Sequence, residues 1–303
     1  MTNSRTIDEL NLMDDFLFQE VLSDENDGKE AAKLILSVIM EKEIGDVSVR
    51  TQKIVTTGDP DKHAIRMDVY LEEGSAGASE TVYDMEVQMR DTKELPQRTR
   101  YYQALMDARL LKKGMDYKTM RKLVIILISS EDIFGYDRMR YTFENRCVEI
   151  PELALGDGAK KIFLYGKGKI GSREDLRELL SYMEDSRQEN AVSEMTRRLH
   201  QIVCRVKRNE EVGVKYMKAI EYEDMIRERA ESEGRAEGRA EGEMRKIVSL
   251  IRKKVEKNMS IEEIADILEE QVSLVEKIYD LILNYPDWDD ERIYVELKAE
   301  RDS

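Results

Sequence analysis

The chain has 303 residues and a net charge of −15, which argues against a protein coated evenly for nucleic-acid binding. Charged residues make up 37% of the chain and aromatic residues 7%, a composition typical of extended, solvated helices beside a globular core. The chain has only two cysteines, which argues against a disulfide-rich protein. It has no apolar run of transmembrane length and no signal-peptide pattern, so we expect a cytoplasmic protein.

The charges are distributed unevenly along the chain. Residues 1–50 contain 12 acidic and 5 basic side chains, whereas residues 90–122 contain 4 acidic and 10 basic ones. An acidic protein with such a basic segment can still attract phosphate groups, because the local potential steers the ligand. Residues 90–122 are therefore a candidate phosphate-binding segment.

The first part of the chain predicts helices followed by strands. Apolar residues recur at helical spacing over residues 8–43, and the polar stretch 23–28 divides this region into two predicted helices. Three strands follow, predicted over residues 46–56, 63–71 and 81–89. Residues 74–79, which are Gly, Ala and Ser, favour a hairpin turn between the last two strands.

The two predicted hairpin strands carry acidic residues within apolar sequence. Alternation gives the first strand one apolar face, which consists of Ile65, Met67, Val69 and Leu71. Asp68 lies on its polar face, and Asp84, Glu86 and Gln88 share a face of the second strand. If the polar faces coincide, Asp68 and Glu86 repel each other unless a cation lies between them, and Mg²⁺ prefers such oxygen ligands. The alternative is a solvated sheet face.

The basic segment begins with a predicted helix, residues 97–113, that ends at Gly114. Its predicted apolar stripe consists of Tyr101, Ala104, Leu105, Ala108 and Leu111. The polar side chains along the edge of this stripe are Arg98, Tyr102, Arg109 and Lys113. The apolar run 123–128 then predicts a central strand buried on both faces, and residues 161–165 are a further strand candidate.

The C-terminal half of the chain is predicted to be helical, over residues 173–186, 188–208 and 210–231. A Glu-Gly-Arg-Ala repeat with a period of four then occupies residues 233–242. Two copies packed through their Gly rows about a parallel two-fold axis would set the Arg flank of one helix against the Glu flank of the other. This pattern favours a homodimer through residues 225–257, and the alternative is a solvated helix or a flexible linker.

The last segment, residues 259–283, has the outline of a helix-turn-helix. Ser260 and Glu263 form a predicted capping box, and two apolar helices follow. The second helix, residues 273–280, has one Lys against two acidic side chains, whereas a DNA-reading helix needs Arg, Lys, Asn or Gln. A small packing or assembly motif is therefore the favoured interpretation.

The predicted elements follow the order helix, three strands, helix and strand, with Asp on the second strand and Glu-x-Gln on the third. This arrangement resembles the PD-(D/E)XK nuclease superfamily. The flanking sequence is similar to its putative-transposase branch, the Rpn family of recombination-promoting nucleases. The matching segments are Met13–Phe18, Arg66–Val69, Glu86–Gln88, Gln97–Tyr102, Phe134–Arg138 and the Glu-Gly-Arg repeat. The resemblance covers about residues 8–245.

This resemblance implies an α/β fold, with a restriction-endonuclease-like mixed sheet flanked by helices and followed by a helical C-terminal extension. The predicted segments are a nuclease-like domain (1–170), a helical extension (171–232), the repeat helix (233–257) and a small helical hairpin tail (258–303). The implied function is metal-dependent DNA phosphodiester hydrolysis by an endonuclease associated with recombination or transposon-like mobility, and DNA is the implied partner.

The resemblance also implies roles for individual residues. Asp68 and Glu86 would be catalytic ligands of Mg²⁺ or Mn²⁺, and Gln88 would be the third catalytic residue, in the place of the superfamily's usual Lys. Gln brings no positive charge, so slow cleavage is expected. An additional acidic metal ligand from the first core helix would be Glu30, with Glu20 as the alternative. The side chains implied to hold the DNA backbone are Arg98, Arg100, Tyr102, Arg109 and Lys113.

Two other functions stay open at this point. The chain could be a DNA-binding or assembly protein with a weak or inactive nuclease fold, in which the helical tail forms oligomers. It could also be a defence effector that degrades DNA, which the sequence does not separate from a recombination nuclease.

Overall fold

The computed structural model describes residues 5–55, 65–74, 80–90, 92–171 and 173–301. The chain divides into two compact units, Met1–Lys218 and Ala219–Ser303. The four segments expected from the sequence stay a prediction; their boundary at 170/171 lies within the first unit. Within the described residues, no helix is long and apolar enough to cross a membrane.

The first unit is built on a six-stranded mixed sheet. Its strands are β1 (Val47–Val55), β2 (Ile65–Glu73), β3 (Thr81–Gln88), β4 (Lys122–Ser129), β5 (Arg140–Phe143) and β6 (Ala159–Tyr165). They lie in the order β1-β2-β3-β4-β6-β5, with β3, β4 and β6 parallel and the other neighbours antiparallel. The predicted hairpin and the predicted central strand β4 are confirmed. Residues 63–64 and 75–79 lie outside the described residues.

Helices cover both faces of this sheet. They are α1 (Asp15–Ser23), α2 (Gly28–Met40), α3 (Leu95–Leu110), α4 (Glu174–Glu184), α5 (Glu194–Lys207) and the start of α6 (Glu210–Val255). α1, α2, α4 and α5 share the main core with Tyr83, Met85 and Ile126, whereas α3 packs on the other face against Tyr70 and Val82. The predicted restriction-endonuclease-like α/β fold is confirmed, and α4 and α5 belong to its core.

A tight turn fixes α1 against α2. The Asp24 side chain accepts hydrogen bonds from the backbone N–H groups of Asn26 (3.1 Å) and Asp27 (2.8 Å). A Cβ atom on Gly28 would lie 2.6 Å from the carbonyl oxygen of Leu22, so a residue with a side chain does not fit there without a backbone shift. This turn orients α1, which contacts β1, β2 and β3.

The prediction of a single apolar face on β2 is wrong. Val69 and Leu71 belong to the main core, whereas Ile65 and Met67 belong to the cluster under α3. The change of face occurs at Asp68, where the register of β2 with β3 ends. In the neighbouring strand β1, Gln52 has a left-handed backbone with φ of 51°. Regular alternation fails because the sheet is distorted at this point.

The predicted apolar stripe of α3 is also wrong. The side chains that α3 turns toward the sheet are Leu95, Thr99, Tyr102, Leu105, Met106 and Leu110. Tyr101, Ala104 and Ala108, which the prediction placed on the buried face, are exposed. The helix has no strongly one-sided distribution of apolar residues, so periodicity alone gave the wrong rotation.

The second unit is a small helical assembly. Beyond α6 its helices are α7 (Ile261–Leu268), α8 (Val272–Asn284) and α9 (Asp290–Arg301), which pack with Val248 and Ile251 of α6. The capping box of Ser260 and Glu263 is confirmed. The predicted two-helix tail lacked α9, whose Ile293 completes the apolar core. α8 uses its apolar residues for this packing, as the interpretation as a packing motif expects.

Candidate active site

Asp68, Glu86 and Gln88 line one pocket, a cavity of about 330 Å³ at the C-terminal end of β3. Asp68 lies next to the last paired residue of β2, so β2 and β3 stop hydrogen bonding where their carboxylates enter the pocket. Arg98 and Tyr102 of α3 complete this side of the wall. The structure therefore brings together the three predicted catalytic residues and two of the predicted DNA-binding ones.

Glu86 and Asp68 of this pocket are at least partly buried, whereas Asp15 is exposed. Glu86 is only 4% exposed, and burial raises its pKa although Arg98 acts in the opposite direction. Burial also raises the pKa of Asp68 to about 7, with further contributions from the charges of Asp15 and Glu86. Asp15, Asp68 and Glu86, three of the four acidic residues that line the pocket, therefore repel one another, and the pocket favours either protons or a cation.

Arg98 is the cation that this pocket contains. Its Nη2 atom donates to Glu86 Oε2 at 2.6 Å and to Gln88 Oε1 at 3.4 Å, and its guanidinium lies 5.7 Å from the Tyr102 ring centroid. The other carboxylate oxygen of Glu86, Oε1, is buried without a partner among the described residues. Arg98 thus supplies positive charge beside Gln88, whose own side chain has none.

Asp68 is held by a hydrogen bond from Gln19 of α1, which is itself hydrogen-bonded to Gln52 of β1. Gln19 Nε2 donates to Asp68 Oδ1 at 3.3 Å and also to Asp15 Oδ1, and Gln19 Oε1 accepts from Gln52 Nε2 at 2.8 Å. Sequence reasoning gave these residues no role. Asp15 lies in the matching segment Met13–Phe18 and could have been found there, but Gln52 carries no signal in the sequence.

Glu30 does not reach the pocket, which corrects its prediction as an additional metal ligand. It lies in the first turn of α2, where its two oxygens each accept a 2.6 Å hydrogen bond from Arg198 of α5. The alternative, Glu20, pairs with Lys215 at 2.9 Å. The acidic residues before Gln19 that do line the pocket are Asp14 and Asp15. Glu30 instead helps to hold α5 against α2.

The other predicted DNA-binding residues lie away from the pocket. Arg100 is exposed and lines a different groove, and Lys113 is exposed beyond the end of α3. Arg109 lies within electrostatic range of Lys53, whose ammonium group sits 3.0 Å from the ring centroid of Tyr70. Burial lowers the pKa of Lys53 to about 8, and the charges of three arginines add to this effect: Arg50, Arg109 and Arg121. We call these four cations the Lys53 cluster.

Asp84 is a second buried acid on β3. It is fully buried, and neither of its carboxylate oxygens has a hydrogen-bond partner within the part of the chain that the structure describes. Burial, with the charges of Glu86 and Asp68, raises its pKa well above the usual range. The burial of Asp84 therefore favours its protonated, neutral form.

The donor set of the pocket fits a hard divalent cation. Mg²⁺ is often bound by one or two carboxylates, with waters in its other positions. Asp68 and Glu86 provide two carboxylates, and one of their oxygens is buried and unpartnered. Among the described residues, no group of three or more His, Cys, Asp or Glu side chains is arranged as a metal site. The fit therefore depends on these two carboxylates and water.

Replacing Asp68 by Asn should stabilise the protein in EDTA at about pH 8 but much less at about pH 5. A raised pKa of the folded state means that the contribution of Asp68 to stability is present below the unfolded pKa of about 4 and is lost as the pH rises to about 7. Thermal unfolding measured at both pH values checks this difference.

The matched control is Glu30→Gln, because the hydrogen bond from Arg198 lowers the pKa of Glu30. Its contribution is present at high pH and is lost on acidification, so this variant should be slightly less stable than wild type at about pH 8. Equal effects of Asp68→Asn at both pH values would contradict the charge crowding deduced for the pocket.

Comparisons with known proteins agree with this geometry. Residues 12–153 match the family model described as PD-(D/E)XK nuclease family transposase, a range that contains α1 to α3, strands β1 to β5 and all the pocket residues named above. The comparisons with curated proteins and with solved structures give no match. This match supports the predicted PD-(D/E)XK putative-transposase superfamily for residues 12–153, which are just under half of the chain.

Proposed function

We propose that this protein is a metal-dependent DNA endonuclease that hydrolyses phosphodiester bonds in recombination or transposon-like mobility. One observation carries the proposal: Asp68, Glu86 and Gln88 share a single pocket within the nuclease family domain. A pocket of buried carboxylates with an unpartnered oxygen suits a divalent cation and a phosphate better than it suits an apolar ligand. The cytoplasm stays the predicted location.

In this proposal Asp68 and Glu86 hold Mg²⁺ or Mn²⁺. When bound, the ion supplies positive charge to the scissile phosphate and makes an attacking water more acidic. Asp68 has to lose its proton to take this role, and its pKa of about 7 makes cleavage increase as the pH rises through neutrality. Gln19 keeps Asp68 oriented through its amide hydrogen bond.

The remaining groups of the pocket position the phosphate. Gln88 can donate through its amide to a phosphate oxygen or to the attacking water, but it cannot contribute charge. Arg98 lies within hydrogen-bonding distance of both Gln88 and Glu86, so its guanidinium can stabilise the charge that develops on the phosphate oxygens. Slow cleavage is expected because Arg98 is also engaged by Glu86.

Purified protein should nick or linearise plasmid DNA with Mg²⁺ or Mn²⁺, and Asp68→Asn and Glu86→Gln should each lose at least about 100-fold in rate. Glu30→Gln is the matched control: it also removes one carboxylate but lies outside the pocket, so it should cleave like wild type. Gel electrophoresis of the plasmid after timed incubation gives the rates. Equal residual cleavage by wild type and both pocket variants would indicate a contaminating nuclease and would remove the proposal.

A DNA-binding protein with a weak or inactive nuclease fold is the second candidate. The observation that favours it is the Arg98–Glu86 ion pair, because it occupies an oxygen that a catalytic cation would use. Metal-independent DNA binding, together with no cleavage under any divalent cation, would support this candidate.

We propose that DNA passes along α3 and the Lys53 cluster. Arg100, Arg109 and Lys113 contribute exposed positive charge, and Arg50 and Arg121 add charge near Lys53, although Arg121 also pairs with Glu72 at 3.4 Å. Contacts of this kind bind phosphate without reading sequence. The Lys53 cluster includes residues from three separate parts of the chain, which explains why the basic segment 90–122 alone did not reveal it.

Arg109→Ala should weaken DNA binding and reduce the slope of log affinity against log salt concentration by about 1, since one phosphate contact releases about one counterion. Arg187→Ala is the matched control, because Arg187 is exposed and lies outside this path. Binding measured by fluorescence anisotropy over a salt series gives both slopes. An unchanged slope for Arg109→Ala would exclude Arg109 from the DNA path.

We also propose a parallel homodimer through residues 225–257 of α6. The Glu-Gly-Arg-Ala repeat lies within this helix, and the space beside Gly234, Gly238 and Gly242 is open. Among the described residues, ion pairs within one chain involve Glu233 (with Arg229, 2.7 Å), Arg235 (with Glu231, 2.9 Å) and Glu241 (with Lys298, 2.6 Å) of the repeat. Glycine-lined helix faces permit close approach of a second helix.

Light scattering at micromolar concentration should give about twice the chain mass of 35.3 kDa. Gly238→Leu should shift the mass toward the monomer, because a bulky side chain separates the Gly rows. The same change at Gly213, which lies in α6 outside the repeat, should not. A monomeric wild type would remove the dimer.

A further inference from the structure

A second groove lies on the other flank of α3, between this helix and strands β5 and β6. It is a cavity of about 560 Å³, and the lining residues used below are Arg100, Gln103, Asp107, Phe143, Lys161 and Phe163. We call it the α3–β6 groove. It shares α3 with the catalytic pocket, but none of the residues that line it also lines that pocket.

The groove presents a rigid aromatic surface. Phe143, in the edge strand β5, is 44% exposed although it is a large apolar side chain. Its ring packs nearly perpendicular to Phe163, with centroids 5.6 Å apart, and lies 5.0 Å from Phe134. Two neighbouring rings therefore hold Phe143 in place and leave part of its surface open. Such a surface suits stacking by a planar ligand.

Hydrogen-bonding groups lie beside this aromatic surface. Lys161 Nζ donates to Gln103 Oε1, and Gln103 in turn hydrogen-bonds the carboxylate of Asp107. Burial is the main reason that the pKa of Asp107 is raised and that of Lys161 is lowered. Amide and carboxylate groups are the side chains that pair with the edges of nucleobases. The groove therefore offers both stacking and edge recognition.

Positive charge lies at the groove as well. Arg100 is exposed on α3, and Lys161 is half-buried in the groove wall. A base stacked on Phe143 brings its own phosphate with it, and Arg100 can pair with that phosphate in a bidentate manner. The combination of an aromatic face with basic side chains is typical of proteins that bind single-stranded nucleic acid.

We propose that the α3–β6 groove binds an unpaired nucleotide of the DNA substrate. The base stacks on Phe143, its edge faces Gln103 and Asp107, and its phosphate pairs with Arg100. A base inside a duplex cannot enter, because its faces are covered by neighbouring bases. The inference rests on the proposed nuclease function and specifies its substrate class: DNA with a single-stranded overhang, a flap or an extrahelical base.

The test compares two fluorescent DNAs that share one duplex sequence, one with blunt ends and one with a single-stranded overhang. Full-length protein is titrated in EDTA, so that cleavage does not interfere, and anisotropy gives the affinities. Phe143→Leu keeps an apolar side chain in β5 but removes the aromatic face. It should weaken binding of the overhang DNA by about 5- to 100-fold and leave blunt binding unchanged. Tyr222→Leu, at an exposed tyrosine of α6 outside the groove, should alter neither.

Three results would overturn the inference: equal binding of overhang DNA by Phe143→Leu and wild type, equal weakening for both DNAs, or no DNA binding by wild type. Thermal unfolding of Phe143→Leu separates loss of the fold from loss of the stacking surface. Plasmid cleavage by wild type and by Glu86→Gln reports on the nuclease function separately. If the wild-type protein binds overhang DNA selectively through Phe143 but does not cleave plasmid, the inference about the groove stands and the proposed nuclease function is wrong.

Discussion

The ion pair between Arg98 and Glu86 is the interaction on which the candidate active-site pocket depends. The carboxylate of Glu86 is buried and lies within electrostatic range of Asp15, and the charges of Glu86 and Asp15 both act on Asp68, so these carboxylates repel one another. Arg98 offsets part of this repulsion from α3. A buried carboxylate that loses the cation paired with it is strongly unfavourable, so the position of α3 over the sheet and the charge state of the pocket are linked.

Helix α3 consequently has three functions in the fold, and its sequence reflects all of them. One flank carries Arg98 and Tyr102 to the pocket, the middle packs Met106 against the sheet, and the other flank carries Arg100 and Gln103 to the α3–β6 groove. Polar side chains are needed on both flanks, which leaves only a narrow apolar strip. This explains why the helix buries Thr99 and lacks a clear amphipathic pattern.

The strands and the central residues of the site could be predicted because their signals are local. Alternation with a central apolar run gives β2, β3 and β4, and the Asp68 and Glu-x-Gln pattern gives the superfamily. The acidic pocket residue on the first helices could not be identified from the sequence. The Glu30 side chain is held by Arg198, which lies more than a hundred residues away along the chain. The change of face in β2 likewise depends on Gln52 in the neighbouring strand, and no pattern within β2 encodes it.

The raised pKa values couple the proposed metal site to protons. Asp68, with a pKa of about 7, is partly protonated near neutrality, and a divalent cation binds the deprotonated form. Cation binding at the pocket must therefore release protons, and affinity for the cation must rise with pH. Burial and the charges of Glu86 and Asp68 raise the pKa of Asp84, so this acid favours its neutral form and would repel Glu86 further if it lost its proton. The same crowding that destabilises the cation-free pocket at high pH thus provides the driving force for cation binding.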